Sequence, residues 1–226
     1  MTEPQPCVVI VDDDPDVREA LSGLLRSVGL QVSALASLPE FLKTGRPEGP
    51  TCLVLDVRLP GQSGLDFQRE LAAAKIDVPI IFITAYADIS MSVQAMKGGA
   101  IEFLTKPVRD QDLLDAIHLG LRRDRARRDS EKALAALRER FETLTPRERE
   151  VMAGVLKGRL NKQIAGDIGV SEVTVKAHRG QIMRKMKASS VLDLARMGEQ
   201  LNFTSGTLQA SEARAWTDMY MRQRAP

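Results

Sequence analysis

Short runs of consecutive apolar residues, each too brief for a helix, recur through the first 120 positions, with segments of helical period between them. The runs include Val8-Val9-Ile10-Val11, Leu53-Val54-Leu55, Ile80-Ile81-Phe82-Ile83 and Phe103-Leu104. A strand that is apolar on both faces is a strand buried on both faces, which is the habit of a parallel sheet covered by helices. From Pro15 the alternating partner is visible: Val17, Leu21, Leu24, Leu25 and Val28 recur at helical spacing and Gly29 closes the segment. The pattern predicts strands near 7–12, 31–34, 51–56, 79–84 and 101–104. Helices are expected near 15–28, 37–44, 64–73, 89–98 and from 110 onward. Five such units imply a single α/β doubly wound parallel sheet.

The charge is divided along the chain in a way its overall balance of +2 conceals. Residues 1–120 hold 10 Lys and Arg against 17 Asp and Glu, whereas residues 121–226 hold 22 against 13. An acidic half suits a metal or phosphoryl site and a basic half suits a polyanion, so two domains are expected within the 226 residues. No stretch approaches the roughly 20 apolar residues of a membrane span, and Met1 to Gln5 lacks the pattern of a signal peptide. A cytoplasmic protein with no membrane partner is the expectation. Cys7 and Cys52, near the starts of two predicted strands, are then buried thiols rather than a disulfide.

What ends the apolar runs is chemically specific. Asp12 and Asp13 follow the first, Asp56 ends the run at 53–55, Thr84 ends that at 80–83, and Lys106-Pro107 follows Phe103-Leu104. In an open parallel sheet the carboxyl ends of the strands share one edge, and ligands bind where the strand order reverses. Three carboxylates meeting there repel one another unless a cation intervenes, and a hard divalent ion such as Mg2+ takes oxygen ligands of this kind. Asp56 is the candidate nucleophile toward a phosphoryl group, Thr84 a hydrogen-bond donor to it, and Lys106 an ion-pair partner for the acids or the phosphate. A cis Lys106-Pro107 bond is open to this dipeptide. Taken singly, these residues have plainer readings: a helix N-cap at Asp12-Asp13-Asp14, a strand-end hydroxyl and a surface lysine. The pocket is compatible with a switch, with an aspartate-dependent phosphatase or with a phosphorelay module. Arg58 stands where a phosphatase would place a second acid.

Between Asp110 and Phe141 there is no proline, and Gly120 is the only glycine. Either one long helix or a charged tether accommodates this segment, whose centre, Arg122 to Glu131, has no apolar seam. The basic half then begins with a helix start at Thr145-Pro146-Arg147-Glu148, an N-cap threonine with proline first and glutamate closing a capping box. Val151, Met152, Val155 and Leu156 mark its apolar face and Gly158 its end. Asn161 to Ile168 forms a second helix, Gly169-Val170 a turn, and Ser171 caps a third running to Met186, with Val175, Ile182, Met183 and Met186 inward. Two helices joined by a tight turn form a helix-turn-helix, whose second helix enters the DNA major groove. Thr174, Lys176, His178, Arg179 and Lys185 on that helix, with Lys162 on the one before, are the candidate DNA contacts. A fourth helix from Ser189 or Ser190 to Gln200 carries Val191, Leu192, Leu194 and Ala195. The plain alternative is a small helical domain with solvated basic residues.

Residues 5–120 resemble the receiver domain of bacterial two-component response regulators, through Val11-Asp12-Asp13-Asp14, Asp56-Val57-Arg58-Leu59-Pro60-Gly61, Thr84-Ala85 and Lys106-Pro107. The resemblance implies a flavodoxin-like fold in which Asp13, Asp56 and the Arg58 backbone carbonyl ligate Mg2+, Asp12 acts through water, and a sensor histidine kinase phosphorylates Asp56. It also implies that Phe103 is the aromatic switch residue that turns inward as Thr84 moves toward the phosphate. The face of the fourth helix, fifth strand and fifth helix would respond, commonly by forming a homodimer.

Residues 141–200 are similar to LuxR-type DNA-binding domains through Leu144-Thr145-Pro146-Arg147-Glu148-Arg149-Glu150-Val151, Asn161-Lys162-Gln163-Ile164-Ala165, Val170-Ser171 and Thr174-Val175-Lys176-Ala177-His178-Arg179. Ile182-Met183-Arg184-Lys185-Met186 resembles the FixJ branch, while Gly180 stands where related domains often have a basic residue. The implied partners are promoter DNA, read as an inverted repeat by a dimer, and RNA polymerase. Together the resemblances divide the chain into a receiver (1–120), a helical linker (121–141), a helix-turn-helix domain (142–201) and an extension (202–226). They describe a transcription regulator rather than an enzyme. Within the extension, Thr207 to Arg224 offers either a further helix with Leu208, Ala215, Trp216, Met219 and Tyr220, or a mobile tail.

Overall fold

Five apolar segments pair side by side in the computed structural model, which describes residues 4–86 and 88–203. They are β1 (Cys7–Val11), β2 (Gln31–Leu35), β3 (Thr51–Asp56), β6 (Ile80–Thr84) and β7 (Glu102–Thr105). The order is β2-β1-β3-β6-β7 and every pairing is parallel. The central strands β1, β3 and β6 are buried throughout, whereas the edge strands β2 and β7 are partly exposed, which is why their sequences are the more polar. Two short strands absent from the sequence expectation, β4 (Arg58–Leu59) and β5 (Gln62–Ser63), form a hairpin after β3 around Pro60-Gly61. Gly61 has φ +85°, a conformation that a side chain disfavours.

Helices α1 (Pro15–Ser27), α2 (Leu38–Thr44), α3 (Gly64–Ala73), α4 (Ile89–Lys97) and α5 (Asp110–Glu142) alternate with the strands. One apolar core gathers Val9, Val11, Leu53, Leu55 and Phe82 with Phe41, Phe67 and Leu71 on one face. The other gathers Val8, Ile10, Val54, Ile81 and Ile83 with Leu25, Leu113, Ile117 and Leu121. Register explains the two thiols: Cys7 pairs with Thr51 and Val8 with Cys52, so the cysteines fall on opposite faces of the sheet and in different cores. Both are free and buried. Burial raises the pKa of each, that of Cys52 to about 12.

The contacts divide into two units, Met1–Asp129 and Ser130–Pro226, with α5 contributing to both. Part of the charged run of α5 belongs to the first unit, because Asp124 is fully buried there. Its carboxylate accepts from the Thr51 backbone N–H at 2.8 Å, from Arg127 at 2.9 Å and Arg128 at 2.8 Å, and from Arg46. Arg128 also donates to the carbonyls of Pro47 and Glu48, and Arg46 to that of Asp77. Thus a polar clamp continues the packing of α5 on the first unit about one turn past Leu121, the last buried leucine that it contributes to that core.

In the second unit α6 (Pro146–Leu156), α7 (Asn161–Ile168), α8 (Glu172–Met186) and α9 (Val191–Gln200) follow the predicted boundaries closely. Their core is Leu137, Leu144, Val151, Met152, Val155, Ile164, Ala165, Val175, Ile182, Met186 and Leu194. The capping box forms as expected: Thr145 Oγ1 accepts from Glu148 N at 3.2 Å, and Glu148 accepts from Thr145 N at 2.7 Å. α6 and α7 approach so closely that a Cβ at Gly154 would lie 2.7 Å from Ile164. Phe203 ends the described chain packed on Phe141 with ring centroids 5.0 Å apart. The segment Thr207 to Arg224, expected as a helix or a tail, lies outside the described residues. Among the described residues no helix is long and apolar enough to cross a membrane.

Candidate functional site

The strand order reverses between β1 and β3, and the acidic residues gather at the carboxyl ends of these two strands. Asp12 and Asp56 are buried and Asp13 is exposed, with one carboxylate oxygen from each within 4.8 Å of the others. The three consecutive acids have separate tasks. Asp14 is the N-cap of α1, accepting from the N–H groups of Asp16 and Val17, and the Asp14 N–H in turn holds Asp12 Oδ1 at 3.0 Å. In β3 the other end of the cluster is set by the Arg58 N–H, which donates to Asp56 Oδ1 at 2.9 Å.

Lys106, just beyond β7, donates from Nζ to Asp12 Oδ2 and to Asp56 Oδ2, both at 2.7 Å. The Lys106–Pro107 bond is cis. Burial pushes the Asp12 carboxyl up, an effect only partly offset by Lys106. Burial also opposes the charge on Lys106, but its hydrogen bonds to the two carboxylates outweigh that and hold the ammonium above its usual value. One ammonium among three carboxylates leaves the pocket with excess negative charge and only hard oxygen donors, which is the chemistry a divalent cation such as Mg2+ requires. Thr84, at the end of β6, is buried with its hydroxyl between the N–H and carbonyl of Tyr86, at 3.3 and 3.4 Å. The Tyr86 ring stands in solvent 4.7 Å from the Arg58 guanidinium, a cation–π contact that links β4 to the loop after β6. Phe103 is half-buried against Phe82, with centroids 6.3 Å apart.

In the second unit, the residues expected to meet DNA divide by their surroundings. Lys162 and Lys176 are exposed. Arg179 is half-buried and donates to Asn161 Oδ1 at 2.9 Å, which ties α8 to the start of α7. Thr174 shares a hydrogen bond with the capping Ser171, and His178 is half-buried. Lys185 is drawn to the Glu148 carboxylate at 2.6 Å and to the Thr143 carbonyl at 3.0 Å. A cavity bounded by Arg159, Asn161, Lys162, Glu172, Lys176 and Arg179 brings four cations to one side of the helix pair. The face of α8 opposite its buried Val175, Ile182 and Met186 consists of Val173, Lys176, Ala177, Gly180, Gln181 and Arg184, all exposed.

Comparison with known proteins joins the two sites. Residues 8–118 match the family described as response regulator receiver domain, and residues 142–198 match the LuxR family of bacterial regulatory proteins. Nodulation protein W of Bradyrhizobium diazoefficiens is 51% identical over 205 residues, covering 91% of this chain and 90% of its own. The chain is a response regulator of the LuxR/FixJ type. Also similar to it are response regulator protein TmoT of Ectopseudomonas mendocina, 47% identical over 89% of this chain and 91% of its own, and the transcriptional regulatory protein FixJ of Azorhizobium caulinodans, 41% identical over 84% and 90%. Among solved structures, response regulator StyR aligns with a TM-score of 0.79 at 47% identity, over 87% of this chain and 99% of that one.

A response regulator couples a receiver to an output, and here the output is a LuxR-type DNA-binding domain, so the chain belongs to transcription regulation. Within this response regulator, sequence reasoning named the pocket residues but not two features of the structure. The contact of Arg58 with Tyr86 joins two exposed residues, one in β4 and one in a loop, that no periodicity relates. The division of α8 into tethered and free polar positions depends on its rotation against α6. The signal for that rotation was already present in Val175, Ile182 and Met186, whose opposite face can be read from helical spacing.

Proposed function

We propose that Asp56 accepts a phosphoryl group from a sensor histidine kinase, and that this modification controls dimerisation and sequence-specific binding to promoter DNA. The observation that carries this reading is the convergence of Asp12, Asp13, Asp56 and Lys106 at the sheet's switch point, in a chain whose other unit is a helix-turn-helix. Asp13, Asp56 and the Arg58 carbonyl would hold Mg2+, and Asp12 would take part through water. Bound there, the ion supplies positive charge that screens the approach of an anionic donor to an anionic acceptor. A carboxylate oxygen of Asp56 bonds to phosphorus as the P–N bond of the donor phosphohistidine breaks. Lys106 then transfers one of its two hydrogen bonds to the new phosphoryl oxygens, and Thr84 exchanges its hydrogen bonds with Tyr86 for one to the same group.

Phe103 fills the space beside Thr84, and the face of α4, β7 and α5 changes with it. Exposed Ile89, Val93 and Met96 at helical spacing on α4 support that face as the dimer surface. The DNA-binding domains pair through α9, where Val191 and Leu192 are exposed. Lys162 and Lys176 contact phosphates, and Arg179, Thr174, His178 and Lys185 line the α8 side of the interface. RNA polymerase is the downstream partner. Intact-mass measurement after incubation with a small phosphoryl donor and Mg2+ tests the acceptor: the chain gains one phosphoryl group and the Asp56→Asn variant gains none. Equal labelling of the variant would place the acceptor elsewhere.

A further inference from the structure

We propose that Val173 is a specificity-determining residue of the DNA-binding unit, reading the C5-methyl group of a thymine in the major groove; this rests on α8 being the helix that enters that groove. Every other large apolar residue of α8 is turned into the core: Val175, Ile182 and Met186 are buried and Met183 packs against them. Val173 is 78% exposed. It occupies the first turn of α8, the part of a recognition helix that meets base edges. Ala177 and Gly180 lie four and seven positions on, along the same exposed stripe. Their small side chains let this stripe approach a surface more closely than lysines or glutamines would.

Neither stability nor solubility accounts for a valine there. Valine is a poorer helix former than alanine, and the first turn favours acidic or small polar groups that interact with the helix dipole, as Glu172 and Ser171 do. Lys176 and the cations around the hollow before it supply charge, which fixes position on the phosphates without reading sequence. An apolar probe in front of them distinguishes bases, because thymine alone among the four presents a methyl group in the major groove. The predicted recognition is therefore a thymine in each half-site, opposite the first turn of α8, with Lys176 on the adjoining backbone.

The test uses the full chain and a duplex that it selects from a random-sequence library, then the same duplex with single thymines replaced by deoxyuridine. At one thymine per half-site the unsubstituted protein should lose about fourfold in affinity, the size of one methyl group's transfer from water. Val173→Ala, a change that suits an exposed helical position, should bind the thymine duplex about fourfold more weakly and not distinguish it from the deoxyuridine duplex. Circular dichroism confirms that the variant is folded. Indifference of the original protein to every replacement, a selected site without thymine, or full sensitivity retained in Val173→Ala would overturn the assignment while leaving DNA recognition intact. Failure to select any preferred sequence would instead overturn the DNA-binding reading beneath it.

Discussion

At Lys106 one ammonium serves two carboxylates, and the consequences of removing it follow from their unequal burial. Asp12 is fully buried and Asp56 nearly so, so bulk solvent compensates their charge poorly once Nζ is gone. Replacement of Lys106 by methionine should destabilise the first unit by about 2 kcal/mol without divalent cation, since breaking a buried pair leaves an uncompensated charge. Saturating Mg2+ should recover more of the stability of Lys106→Met than it adds to the original chain, because the three acids then lack any other cation. Denaturant melts with and without Mg2+ measure both, and an equal response to the ion in the two proteins would contradict the cluster's role as a cation site. These site residues were legible in the sequence because each ends an apolar run, and parallel strands bring such ends together. The sequence offered a helix cap among Asp12, Asp13 and Asp14, which the fold assigns to Asp14; the Arg58–Tyr86 contact was not legible, because its side-chain directions depend on the backbone turns that precede them.

Among the elements, α5 shows most clearly what hydropathy leaves out. Its apolar residues end the first core at Leu121, and a run of charges follows that has no apolar seam of its own. The fold nevertheless buries Asp124, with three arginines and a backbone N–H around it. Sequence spacing cannot say which of several alternating charges turns inward when its partners, Arg46 and Thr51, come from a loop and a strand about 75 residues away. Asp124→Asn should cost about 3 kcal/mol, as loss of one member of a buried ionic cluster does, and should speed amide exchange in residues 122–129.

The clamp also has a pH signature. Burial alone would raise the Asp124 carboxyl, but hydrogen bonds from Arg127, Thr51, Arg46 and Arg128 prevail and hold it below its ordinary 3.8. A depressed folded pKa means that the contribution is complete above the unfolded value and is lost as pH falls through the folded one. Below about pH 4 the original protein should therefore lose stability more steeply than Asp124→Asn. Gly120 belongs to the same helix and explains why a single glycine interrupts it: a Cβ there would stand 2.6 Å from Cys52 Sγ. Gly120→Ala should cost about 2 kcal/mol by overpacking. Adding Cys52→Ala should recover part of that loss, and strictly additive costs in thermal melts would rule out the contact as the cause.

Over the whole molecule, an acidic receiver and a basic output domain share one chain, and its overall charge of +2 reveals neither. Both folds were readable from periodicity, and their boundaries from caps and glycines, since parallel βα units and short capped helices have strong local signals. The rotation of α8 that exposes Val173, Lys176 and Arg184 follows from the spacing of Val175, Ile182 and Met186, whereas the tethering of Arg179 to Asn161 and of Lys185 to Glu148 required the packed helices to be seen. Binding through such a surface should weaken linearly in log affinity against log salt, and Lys176→Ala should reduce that slope by about one. The proposal that couples the two units is that chemistry at Asp56 governs this surface. Its most direct test is the affinity of the full chain for its selected duplex, measured by fluorescence anisotropy with and without a phosphoryl donor and Mg2+. The donor should tighten binding by about tenfold, within the usual range of coupling between sites, and should leave Asp56→Asn unchanged. Equal affinity with and without donor, or the same gain in Asp56→Asn, would contradict it.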